Sequence, residues 1–164
     1  MSSLLVISKQ FVGGAFALLV FYANSAFADE AFLTLTNVSE GVVVELTEVD
    51  FLALKQFTVF TENEFVDGLV EFKGPLARDV VALLNDAEIE TLKLTAVNDY
   101  TVELPMSELL DYDVIFAVSQ DGVAFSTRDK GPIWVIYPMT DNIELQDRVY
   151  NDRLIWQLVS VAAL

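Results

Sequence analysis

The chain has 164 residues, 9 Lys and Arg against 25 Asp and Glu, and a formal net charge of −16. So acidic a protein repels nucleic acid and anionic membrane surfaces, and it favours cationic surfaces on a partner. It has no Cys and no His, which excludes disulfides, cysteine-linked lipid anchors, thiolate metal sites, thiol nucleophiles and imidazole bases.

Residues 1–28 carry one charged side chain, Lys9, then the apolar run "FVGGAFALLVFYA", then "AFA" ending at Ala28. This pattern predicts a secretory signal peptide cleaved before Asp29. The apolar run falls short of the roughly 20 residues that a spanning helix needs. Residues 29–164 are then expected as one mature domain, and loss of Lys9 takes its charge to −17. No later segment is long and apolar enough to span a bilayer, so no membrane insertion is expected after cleavage.

Along the mature chain, Val42–Leu46 is a strand signal. Thr47 with Asp50 three places on forms a capping box for a short helix. "FTVFTE" reads as a second strand. In "FKGPLARDVVALLND", Pro75 is expected at the first position of a helix whose buried face is Leu76, Val80, Leu83 and Leu84. "TLKLTAVNDYTVELP" predicts two strands joined at Asn98-Asp99, and "PMSELLDYD" a short helix capped by Ser107. "VIFAVSQDGVAFS" is a hairpin around Asp121-Gly122. "PIWVIYP" and "RLIWQLVSVAAL" predict two more strands, with "MTDNIELQDRVYND" between them as a polar loop or short helix. The expected fold class is α+β: compact, mixed and strand-rich, with short inserted helices.

The last quarter gathers Arg128, Lys130, Arg148 and Arg153 with Trp134, Tyr137, Tyr150 and Trp156, which include both tryptophans of the chain. Cations and aromatics near strand ends suit a flat, polar heterocycle held by stacking and hydrogen bonds. The same composition also suits a core pair of tryptophans whose neighbouring cations balance local acids. Carboxylate-only Ca²⁺ or Mg²⁺ binding is open to such a chain, but it has no D-x-D-x-D-G loop.

"LTAVNDYTVELPMSELLDYDVIFAVSQDG", followed by "RDKGPIWVIYP" and "IWQLVSVAAL", resembles the oxidoreductase molybdopterin-binding domain family, of sulfite-oxidase-type fold. The likeness runs from about Val42 to Val161 and is to the short secreted members. In the family's enzymes a Cys near the end of an early strand gives its thiolate to molybdenum. The corresponding region here, "FTVFTENEFVDG", has no Cys, and neither Thr61 nor Asn63 replaces a soft anionic sulfur. The resemblance therefore points to the non-catalytic, PruR-type periplasmic members. Those bind a free pterin without metal and regulate a membrane-bound cyclic-di-GMP signalling enzyme, with effects on biofilm, through its periplasmic domain. It implies a pterin, reduced forms included, as ligand, no tightly bound cofactor and no metal. Asp99 or Glu62 would accept from the pterin's amino edge, and Asn98 would both donate and accept. Arg128 or Lys130 would donate to its carbonyl, Trp156 or Tyr100 would stack, and Tyr150 would stand nearby. Two alternatives remain: a molybdopterin-dependent oxidoreductase or a subunit of one, and an interaction-only protein with a closed pocket.

Overall fold

The structure is a computed structural model that describes residues 30–86 and 88–164, so the signal peptide expected at 1–28 lies outside the described residues. Thr34 and Thr36 alternate with buried Leu33, Leu35 and Asn37, the period of a half-buried strand, and form β1 (Leu33–Asn37). β2 (Val42–Leu46) follows antiparallel to it, where the valine run places it. Thr47 caps α1 (Glu48–Ala53) through the expected box: Asp50 N donates to Thr47 Oγ1 at 3.2 Å, and Thr47 N donates to Asp50 Oδ2 at 3.2 Å. The Thr47 hydroxyl holds the Asp50 carboxyl below its ordinary value.

β3 (Gln56–Thr61) pairs with β4 (Val70–Pro75), so Pro75 closes a strand and does not open a helix. The reason is tertiary. A Cβ on Gly74 would stand 2.0 Å from Phe116 O, so Gly74 is where two backbones meet. Leu76 then precedes α2 (Ala77–Val81) and a 3-10 turn, Ala82–Leu84. Leu76, Val80 and Leu84 are buried, and Leu83 packs against the core, as the helical spacing requires.

β5 (Thr91–Ala96) and β6 (Thr101–Pro105) form the expected hairpin. α3 (Met106–Asp111) starts two residues earlier than expected. Pro105 precedes it, Met106 N is tied to Glu90 O at 2.8 Å, and Ser107 falls inside the helix instead of capping it. β7 (Ile115–Ala117) leads to the hairpin of β8 (Ser119–Gln120) and β9 (Val123–Ala124). Asp121 and Gly122 both have positive φ, 48° and 76°, as a tight two-residue hairpin loop demands.

β10 (Trp134–Ile136) pairs with β7. The polar stretch after it holds a 3-10 turn, Ile143–Gln146, and α4 (Arg148–Asn151). The last strand, β11 (Leu158–Ala163), is shorter than its apolar run because Gln157 is left-handed at φ 54° and breaks the extension.

These strands make a five-stranded sheet in the order β2-β1-β11-β5-β6, a four-stranded sheet β3-β4-β8-β9 and the pair β10-β7. β1 and β11 are parallel, which sets the first and last strands of the described chain side by side within the larger sheet. One large core lies under that sheet, and a second gathers Val59, Phe72, Ile115, Trp134 and Ile136. Among the described residues no helix is long and apolar enough to cross a membrane.

Candidate ligand pocket

The β5–β6 turn is built by its own side chains. Asn98 Oδ1 accepts from Tyr100 N at 3.2 Å, Asp99 N donates to Ala96 O at 3.0 Å, and Asp99 adopts φ 64°. This leaves Asn98 and Tyr100 exposed at the rim. Facing them is the chain that leaves α4, from Asn151 to Trp156. Between the two lies a cavity of about 280 Å³, closed on a third side by Phe65 from the β3–β4 loop.

Aromatic rings set the floor. Trp134 is fully buried, and its Nε1 donates to Leu154 O at 3.0 Å. Trp156 remains 37% exposed. Its ring meets Phe65 edge-on at 5.0 Å and Trp134 edge-on at 6.2 Å. Near-perpendicular packing of this kind fixes the orientation of the Trp156 ring, which the cavity borders.

The polar groups at the cavity are Asn98, Asn151 and Asp152. Behind them Glu108 is buried and fully engaged. It accepts from Tyr137 Oη at 3.0 Å and pairs with Arg153. The Arg153 guanidinium lies 5.1 Å from the centre of the Tyr150 ring, which in turn packs 5.7 Å from Tyr137. This network anchors the backbone between Asn151 and Trp156 from inside. Burial, and then the adjacent Glu108 carboxylate, push the Tyr137 hydroxyl well above the ordinary tyrosine value.

The structure thus brings Asn98, Tyr100 and Trp156 to one cavity and keeps other candidates away from it. Arg128 is exposed on the turn before β10 and lines no part of it. Lys130 is spent on the scaffold: Nζ donates to Phe65 O at 3.2 Å and sits 4.2 Å from the Trp134 ring centre. Gln157 holds that turn by donating from Nε2 to Thr127 O and Asp129 O, at 3.2 and 3.0 Å. Asp99 supports the turn instead of lining the cavity, and Tyr150 stands behind it. Glu62 borders a separate cavity of about 360 Å³ with Asn63, Thr140 and Asn151. Phe65, Asn151 and Asp152 were not foreseen; Phe65 comes from the β3–β4 loop and the other two from the end of α4, placed by tertiary contacts.

The donor set does not fit a thiolate-bound molybdenum. The sequence has no Cys. At the end of β3, Thr61 is fully buried, and its Oγ1 accepts from Met139 N at 3.0 Å and Thr140 N at 3.2 Å. That hydroxyl ties β3 to the chain after β10 and is not offered to a metal. Among the described residues no group of three or more acidic side chains is placed to hold a metal ion.

No family model matches the chain, and no curated protein matches it. Among solved structures it is similar to the sulfane dehydrogenase SoxCD from Paracoccus pantotrophus, at 16% identity and a TM-score of 0.57. The likeness covers 82% of this chain but 38% of that one, so this chain spans well under half the length of its structural neighbour. At that identity the likeness shows the fold alone: an α+β, strand-rich architecture of the sulfite-oxidase type.

Proposed function

We propose that this protein is a periplasmic, non-catalytic pterin-binding regulator, with the pterin seated between Trp156, Phe65 and Tyr100. The observation that carries this reading is the cavity itself. It joins a half-exposed indole to two amides and one carboxylate in a space of about 280 Å³. That is near the lower end of the roughly 300–1,000 Å³ usual for small-molecule sites. It suits a bicyclic ring better than a cofactor with a long phosphorylated tail. The Asp152 carboxylate meets the amino edge of a pterin with parallel charge-assisted bonds, a role expected of Asp99 or Glu62. Asn98 and Asn151 serve the remaining ring atoms, and Trp156 stacks.

Export as residues 29–164, and control of a membrane-bound cyclic-di-GMP enzyme through its periplasmic domain, belong to the same reading and rest on the resemblance. The absence of Cys supports binding without redox chemistry at molybdenum. The test is purification of the exported protein from its native host. Expected are an intact mass beginning at Asp29, extractable pterin fluorescence and no stoichiometric molybdenum. Stoichiometric molybdenum would restore the oxidoreductase, and failure of every oxidised and reduced pterin to raise the melting temperature would leave an interaction-only protein.

A further inference from the structure

β3 pairs with β4 and with no other strand among the described residues, so its second side is a free sheet edge. Such an edge presents unpaired N–H and C=O groups, and proteins guard it with charge, proline or brevity. The other end strands of the two larger sheets are guarded. β2 carries Glu45, β6 carries Glu103 and Pro105, and β9 is two residues long. β3, with the sequence QFTVFT, has neither charge nor proline. A groove of about 360 Å³ lies against it, lined also by Asp113, Pro138, Thr140 and Asp141, and by Leu69 from the β4 side, where Thr61 pairs with Val70. Phe60 and Leu69 are 52% and 58% exposed, large apolar side chains left half in water at this groove.

The charges around the groove select its occupant. Asp141 is exposed on its wall, and Glu62, Glu64 and Asp67 follow β3 in the loop to β4. Asp113 is paired with Arg78 at 2.6 Å, and Lys55 lies over Phe57 at the other end. A second copy of so acidic a chain meets like charge here, whereas a cationic segment does not. We propose that the β3 edge docks an extended segment of a partner protein in which apolar residues alternate with Lys or Arg, adding a strand to the four-stranded sheet. The loop between β3 and β4 touches both sites, since Phe65 closes the ligand cavity and Leu69 walls the groove. The docking itself does not depend on the pterin reading.

The probe is a fluorescein-labelled peptide alternating valine with lysine, beside a valine–glutamate counterpart, on the mature protein with no pterin added. Salt is held at about 0.15 M, which screens attraction beyond about 8 Å. Expected are saturable binding of the lysine peptide alone and new hydrogen-exchange protection confined to residues 56–61. Phe60→Ser and Leu69→Ser, both at exposed positions that leave the fold intact, should each weaken binding about tenfold. Asp141→Lys should weaken it too. Equal binding by these variants, protection elsewhere, or no binding of the lysine peptide overturns the proposal. So does sedimentation showing that the parent self-associates and Phe60→Ser does not, because the groove would then belong to a second copy.

Discussion

Trp134 and Trp156 touch at 6.2 Å, yet they belong to different parts of the protein's economy. Trp134 is fully buried, meets Phe65, Phe72 and Phe125, and has its indole N–H satisfied by Leu154 O. Trp156 lies one layer out, 37% exposed, braced by Phe65 and Trp134 with the cavity beside it. The inner ring anchors the wall, and the outer ring is what the wall presents. A residue type that looks uniform in sequence is divided by a single layer of packing into scaffold and contact surface.

The largest expected effect separates the two rings. Trp134→Ala should cost about 3–5 kcal/mol in urea unfolding, and Trp156→Ala about 1 kcal/mol, since a third of that ring is already in water. Equal losses would erase the distinction. Arg153→Met should cost about 3–5 kcal/mol because it strands the buried Glu108 carboxylate. Its melting curve should recover with Glu108→Gln added, which removes the unpaired charge.

Tyr137→Phe should cost about 1–2 kcal/mol, as Glu108 keeps its Arg153 partner. It also carries a pH signature. Tyr137 titrates higher folded than unfolded, so its contribution is whole below the ordinary tyrosine value of 10.0 and is lost as pH climbs past it. Stability of the parent should therefore fall more steeply than that of Tyr137→Phe above about pH 10. The smallest effect is expected at Arg128, where Ala should change stability by less than about 0.5 kcal/mol and leave pterin affinity unaltered, because the side chain lines no part of the cavity.

Much of the fold is legible in short-range pattern. The Thr47–Asp50 box, the Asp121-Gly122 turn and the β5–β6 hairpin follow from local chemistry, and each stands where the sequence places it. Pro75 misleads because its helix-opening preference is overridden by Gly74, which lets β7 approach β4. Ser107 misleads because the bond from Met106 N to Glu90 O starts the helix earlier. In the site, Asn98, Tyr100 and Trp156 converge because a hairpin turn and the lead-in to β11 lie side by side. Arg128 and Lys130 attract attention by charge in an acidic chain, but charge does not reveal direction. Lys130 faces Trp134 and Phe65 O, behind the cavity. Phe65 and Asp152 carry no sequence signal of their role, since only the folded route of their loops brings them together.

The central claim is that the outer tryptophan and its polar neighbours form a pterin site. Calorimetric titration of the mature protein with oxidised and reduced pterins tests it most directly, with Trp156→Phe and Asn98→Ala measured beside the parent. The account predicts saturable binding of a pterin with quenching of tryptophan fluorescence. It also predicts about two- to tenfold weaker binding in Trp156→Phe, from the loss of about 0.5–1.5 kcal/mol of stacking. Parent-like binding in both variants, or no pterin bound by the folded parent, would contradict it.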